Sequence, residues 1–531
     1  MSSWPPSPGP GAGAPPQFPG RVLPPSTVEA FARYAAQQQQ APQYGAPPRK
    51  RKGKGRSVVS LLLVMVLVGG GVAGYVYRDR IFHPKAEEPP HPDVWDARAI
   101  PFVQFVERER GKPFLHPVFI DFLPEAEYVG LFAAPAGGIT EEDRAAAQQQ
   151  SGLYNAMAVA VGYDPLAGSE TLHSVGSLGF YSPDADRLFV RGDVLTPAVR
   201  TTLVHELTHA LQDQYFPLEL GGEDDLQRRA IIEADAMRIE DLYVASLSPE
   251  EQTASHADST ISDEGAATLD TLPSYVTDSA YAPYLLGPWL VEKAVAAKGP
   301  TGVDELLQSP APMMMLINVD LYGKPVTDVE LVVAAPEGAI VLDESQHLSA
   351  LDVLMMLDAW LPWSMSRAAV DGWTGGGVIT FEQQGLVCFT AQMQMNEPTA
   401  LANALTWWAG ASHAAAAPVV TGQIVTITSC DRGLAAEAPF PPVSTMEAFA
   451  FEHYYLENTL QALRDAGDVR TPSQVAGTIT CVARYLIDDP TTAPLLFLGQ
   501  LTPEQDQAFS IVTQAAHAAC PPPTLQVLTY P

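Results

Sequence analysis

Blocks of apolar and polar residues along this chain assign much of it to elements before any chemistry is considered. Val94 to Arg110 reads as a helix, and Pro113 to Leu123 (PFLHPVFIDFL) as a strand. Phe180 and Tyr181, a polar turn at Ser182 to Asp186, and then Leu188 to Val190 make a β-hairpin pattern. Thr196 followed by Pro197 places a capping hydroxyl before a first-turn proline. A helix is therefore predicted through HELTHALQDQ, with Leu203, Leu207, Ala210 and Leu211 available for burial. Leu226 to Ser246 has helical spacing as well. Composition changes near Ala335 to Gly338. Beyond it, 350–370 and Thr445 to Ala466 read as helical, as does the remainder to His517. Val378–Phe381, Leu386–Ala391 and Val419–Thr428 carry the β-branched and aromatic runs of strands. No internal repeat is present.

The start of the chain follows a different pattern. Its first 48 residues hold twelve prolines, a Gln37–Gln40 run and few large apolar side chains. Such a stretch buries too little surface to offset its ordering entropy, so a disordered tail is expected over residues 1–56. That tail ends in a basic cluster, Arg49, Lys50, Arg51, Lys52, Lys54 and Arg56. Ser57 to Tyr77 then runs for 21 residues without a charge, enough for a helix to cross a hydrocarbon core of about 30 Å. The flanking positive charge keeps the tail in the cytoplasm and sends everything from Arg78 outward. Neither a small-residue cleavage site nor a lipoprotein cysteine accompanies the span, so it reads as an uncleaved signal anchor of a single-pass protein. Residues 78–96 are a proline- and charge-rich linker. Residues 97–336 and 337–531 are expected to be two folded units.

Charge and cysteine usage sharpen this picture. Of 30 basic and 61 acidic residues, eight basic and one acidic (Glu29) precede residue 57, leaving 22 basic against 60 acidic beyond it. A surface this acidic repels phosphate backbones, which excludes nucleic acid as an expected partner. The four cysteines, Cys388, Cys430, Cys481 and Cys520, all lie late in the chain and include no C-x-x-C spacing. On an exported domain they are expected to form disulfides, with Cys388–Cys430 and Cys481–Cys520 the simplest pairing.

The chemistry is concentrated in one segment. His205 and His209 are four residues apart, so their rings emerge on one helical face a turn apart, where both can ligate one metal ion. Glu206 sits beside the first and can act as general base on a water whose pKa the metal lowers from about 16 towards 7. Two neutral nitrogens and a carboxylate would leave zinc a fourth position for that water. Metzincins continue this motif as HExxHxxGxxH; here ALQDQY follows, which excludes that class. The third ligand is then expected from the next helix, where Glu233 lies in an otherwise apolar stretch. A carboxylate in such surroundings needs a partner. That partner is either the metal or a structural salt bridge to Arg229 or Arg200. Glu240 is the rival third ligand. Asp235 is a candidate for orienting a ligating histidine.

Together, HELTHALQDQ and the EADA sequence 24 positions after His209 resemble the gluzincin metallopeptidases, the broad group that includes thermolysin. More closely, the chain resembles a set of bacterial HExxH proteins. These share a strand–LYVRGD-LTP–HELTHALQDQ block, an EGDA helix and a later PYxxG helix. The corresponding pieces here are Leu188–Asp193 with Leu195–Pro197, His205–Gln214, Glu233–Ala236 and Tyr284–Gly287. The likeness covers roughly residues 100–335 and reaches the remainder only faintly. It implies His205, His209 and Glu233 as zinc ligands and Glu206 as the catalytic residue. Ala234 stands where that set has Gly, and Met237 where thermolysin has an acidic residue four positions after its ligand Glu.

Tyr284 or Tyr281, in DSAYAPYLLGPW, could donate a phenolic hydrogen bond to a developing oxyanion, or simply pack. The strand Arg187–Val190 could offer an edge to an extended substrate. The remaining histidines have no spaced partner and read as ordinary surface or core residues. The expectation is thus an α+β protein. It comprises a zincin-like metallopeptidase domain with a mixed α/β C-terminal domain, tethered outside the plasma membrane and cleaving peptides or proteins. Two rivals are a non-catalytic envelope protein with a structural or relic zinc site, and an adaptor whose Pro-rich tail recruits a cytoplasmic partner.

Overall fold

The computed structural model describes residues 90–131, 140–166, 178–218, 225–259, 272–412, 416–431, 443–465, 472–498 and 501–520. The expected tail, the span 57–77 and most of the linker lie outside them. Among the described residues, no helix is long and apolar enough to cross a membrane.

The protein is α+β. Helix α1 (Ile100–Arg110) leads to β1 (Phe119–Leu123), α2 (Glu125–Gly130) and α3 (Glu141–Met157). The expected hairpin forms as β2 (Gly179–Ser182) and β3 (Arg187–Arg191), followed by α4 (Pro197–Tyr215), α5 (Asp225–Ser246) and α6 (Pro249–Ser259). Next come α7 (Ser274–Lys298), α8 (Pro300–Gln308) and α9 (Met313–Ile317). The rest of the chain alternates strands and helices. It runs through β4 (Val329–Glu330), β5 (Ile340–His347), α10 (Ala350–Asp358), α11 (Trp363–Ala369), β6 (Trp373–Gln383), β7 (Leu386–Met395) and α12 (Thr399–Ser412). It closes with β8 (Val419–Thr421), β9 (Ile424–Cys430), α13 (Thr445–Asp465), α14 (Pro472–Asp488) and α15 (Pro503–Ala519). The helix read over 350–370 is two helices, because Pro362 favours a break at its preceding residue.

Two sheets result. The small one has the order β1-β3-β2, with β1 parallel and β2 antiparallel to β3. β3 is therefore central and both its edges are paired. This corrects the expectation that Arg187–Val190 offers a free edge; the outer strand on that side is β2. The larger sheet runs β4-β6-β7-β9-β8, with β5 also paired to β6. Register places Cys388 on β7 directly opposite Cys430 on β9, and these two form one disulfide. Cys481–Cys520 forms the other, joining α14 to the end of α15. Both pairings are those expected from sequence. Closing loops of 42 and 39 residues constrains the unfolded chain by about 4 kcal/mol each.

Hydrophobic packing is organised around two main clusters. The smaller joins Phe102 and Val106 of α1, Leu188 and Val190 of β3, and Leu203, Leu207 and Leu211 of α4. The larger runs from Ala156 to Cys520 and draws residues from both sides of position 337, so packing is continuous there. Helix α5 belongs to both: Ile231 and Ile232 enter the larger cluster, Ile239 and Tyr243 the smaller. Against α5 lies α7, seated unusually close at Gly287. A Cβ there would fall 1.9 Å from the Ala230 carbonyl oxygen. Only glycine permits that approach, which brings Tyr284 one turn away against the Glu233 region.

Candidate metal centre

Helix α4 starts where its sequence says it should. The Thr196 hydroxyl accepts the Val199 N–H at 3.3 Å, with Pro197 in the first turn. From there the i, i+4 spacing sets the His205 and His209 rings on one face, centroids 4.7 Å apart. Packing of α5 on α4 brings Glu233 to both. Its Oε2 lies 3.4 Å from His205 Nε2 and 3.6 Å from His209 Nε2. Candidate ligand atoms of the three residues lie within 4.8 Å of one another, the one such group among the described residues. All three side chains are buried. Glu233 thus meets the imidazoles, while Arg200 pairs with Glu251 at 2.8 Å.

The surrounding groups orient this trio. Glu240, the rival ligand, lies behind His205: its Oε2 is 2.9 Å from Nδ1. A carboxylate there accepts the Nδ1 proton, so in the neutral ring that a metal ligand must be, Nε2 would be the free lone-pair donor towards Glu233. Glu206 does not join the trio. Its Oε2 accepts the Tyr181 backbone N–H of β2 at 2.9 Å, so the outer strand of the small sheet holds the candidate base in place. Asp235 is buried and contacts neither ring directly; it reaches His209 through Gln212, a residue that sequence reading missed. The available signal was Gln212's position three residues after His209, on the same helical face. Tyr284 is brought to the site by α7, and Tyr281 is buried on the same helix.

Burial opposes charge throughout, and neighbours decide each outcome. For Glu233, His209 and His205 outweigh burial and hold the carboxyl at about 2. For Glu206, burial dominates over the two imidazoles, and the pKa rises above its ordinary value. Burial would lower His205, but Glu233 and Glu240 raise it well above 6.5. Burial, reinforced by Glu233, pushes the Tyr284 phenol well above its usual value.

Several buried polar atoms at this point lack a hydrogen-bond partner: His209 Nε2, both Glu233 oxygens, Glu240 Oε1 and the Tyr284 hydroxyl. Leaving such a group unpaired costs about 1–3 kcal/mol. A divalent cation taken by His205, His209 and Glu233 would satisfy His209 Nε2 and the carboxylate together. The donor set therefore fits a metal. A separate cavity of about 1130 Å³ is lined by Trp289, Arg367, Glu452, His453 and Arg484, and includes none of the three candidate ligands.

The chain matches no protein-family model, no curated protein and no solved structure. Its functional reading rests on the motif residues and on the geometry they adopt.

Proposed function

We propose that this protein is a zinc metallopeptidase, held outside the plasma membrane by residues 57–77 and acting on peptides or proteins through a zincin-like catalytic domain. The observation that carries the reading is the meeting of His205, His209 and Glu233 at 3.4 and 3.6 Å, with Glu206 beside them. Two imidazole nitrogens and one carboxylate are the protein ligands of a catalytic zinc site, which keeps a fourth position open. Bound there, zinc supplies a Lewis acid that polarises a carbonyl and lowers the pKa of water.

The chain's own groups do the rest. Glu206 has one oxygen held by the Tyr181 N–H, and its raised pKa makes it a stronger proton acceptor than an exposed carboxylate. It takes a proton from the attacking water and passes it to the leaving amine. The Tyr284 phenol stays protonated and can donate to the developing oxyanion. Glu240 keeps the His205 proton on Nδ1.

The test is Glu206→Gln. Zinc content should be unchanged and cleavage of a peptide library should fall by about 10²–10⁴, the usual contribution of general acid–base catalysis. Activity surviving that change removes the mechanism. One observation favours a second reading, a structural zinc site in a non-catalytic protein: the three ligands are only 1–3 % exposed, and structural sites are closed. A bound zinc lacking an exchangeable water ligand, with no turnover by the unaltered protein, would establish that alternative.

A further inference from the structure

We infer that Gln212 is a positioning residue that sets the tautomer of His209, and that Asp235, braced by Arg110, sets Gln212. The inference rests on the metal-site reading above and extends it to residues that touch no metal. Gln212 is 1 % exposed, and its amide has three neighbours. One end lies 3.0 Å from the Ile232 carbonyl and 3.0 Å from Asp235 Oδ2. Both of those atoms are acceptors only, so that end must be the NH₂. The opposite end, Oε1, then faces His209 Nδ1 at 3.0 Å and can only accept. The neutral His209 ring must therefore carry its proton on Nδ1, which leaves the Nε2 lone pair directed at Glu233. Reversing the amide would set its oxygen against a carbonyl and a carboxylate.

Asp235 keeps the amide from reversing because two arginine contacts hold its carboxylate in place, with Oδ2 facing the Gln212 NH₂. Arg110 Nε lies 2.9 Å from Asp235 Oδ2, and Arg238 binds Oδ1 at 2.8 Å. Arg110 is the last residue of α1 and is itself buried. Its other arm pairs with Asp304 of α8 at 2.8 Å, which Lys112 also binds at 2.9 Å. The connection therefore runs from α8 through α1 and α5 to α4 and ends on a metal ligand. The other histidine is treated differently: His205 meets its carboxylate, Glu240, directly. Had Asp235 been in direct contact with His209, no amide would be needed. Its place between two arginines puts it one side chain too far away.

The experiment has a metal-free and a metal-bound arm. In the folded, metal-free protein at a pH where the ring is neutral, nitrogen-15 NMR should show the His209 proton on Nδ1. In Gln212→Leu the ring should populate both tautomers. In the metal-bound arm, zinc affinity is measured by chelator competition. Gln212→Leu should weaken binding by about 10–100-fold, the usual effect of losing an outer partner of a ligand. Asp235→Asn should weaken it less, and should add nothing in the Gln212→Leu background. A proton found on His209 Nε2 in the unaltered protein overturns the inference without any variant. So does an Asp235→Asn penalty that persists in full when residue 212 is leucine, since Asp235 would then act through the helix packing alone. Failure of the unaltered protein to bind zinc would sink the proposed function, while the tautomer measurement would still decide the role of Gln212.

Discussion

Two buried carboxylates lie close to α7, and they are driven in opposite directions. Near Tyr284, Glu233 faces two imidazoles and is held at about 2 despite complete burial. Six residues earlier on α7, Asp278 is equally hidden, and burial together with Glu447 pushes it to about 8. Asp278 caps the start of α13 by accepting the Thr445 N–H at 3.0 Å, while the Thr445 hydroxyl donates to Asp358 at 2.9 Å. Asp358 is likewise raised, by burial first, with Asp278 and Asp488 adding to it. Burial contributes the same sign to both regions. What differs is whether the partner is a base that can carry charge or a second acid. Imidazoles favour the charged form of Glu233, whereas a neighbouring acid favours the protonated form of Asp278.

Three changes test that contrast, beginning with the largest effect. Glu233→Gln keeps the shape and removes the charge between the rings. Zinc affinity in a chelator competition should fall by more than the about 10–100-fold expected for an outer-partner loss. Retention of affinity would show that Glu233 is not a ligand. Asp278→Asn acts on the other region. Folded Asp278 keeps its proton up to about 8, whereas the unfolded chain releases it near 3.8. Between those values the native state holds more protons, so stability falls as pH rises from about 4 to 8. The amide should flatten that decline and stabilise the protein at pH 8 by an amount on the order of a few kcal/mol. Thermal unfolding at pH 5, 6, 7 and 8 measures this, and an unchanged slope would remove Asp278 from the account. Tyr284→Phe is the mildest. It deletes one buried hydroxyl that lacks a partner, so folding should hardly change. If Tyr284 supports the oxyanion, kcat should drop by about tenfold or more, with KM nearly constant.

Some of this was legible without a structure, for reasons that can be stated. The helix of His205 and His209 announces itself by its cap, its proline and its spacing, all local features. Glu233 was legible because a lone carboxylate amid Ala230–Ile232 and Ala234 must find a partner. The disulfides followed from having four late cysteines and nearby pairings. Glu240 was identified only as the rival for the third ligand, and in the structure its carboxylate lies 2.9 Å from His205 Nδ1. Its charge fits either a ligand or an orienting group, and only the distance to Nδ1 separates the two. The free edge assigned to Arg187–Val190 failed because pairing partners such as β1 come from more than 60 residues away.

Local interactions, then, are what the amino-acid order determined by itself. They comprise helix starts, the hairpin, the shared face of two histidines, and the demand of a buried acid for company. Periodicity and capping act over a few residues and can be read directly. Which acid answers which ring, why Asp278 and Glu233 titrate at opposite extremes, and how Arg110 comes to brace Asp235 were decided only by the packing of α1, α4, α5, α7 and α13. Those contacts join residues 24 to 167 positions apart, and chain order carries no information about distances of that kind until the hydrophobic cores have closed.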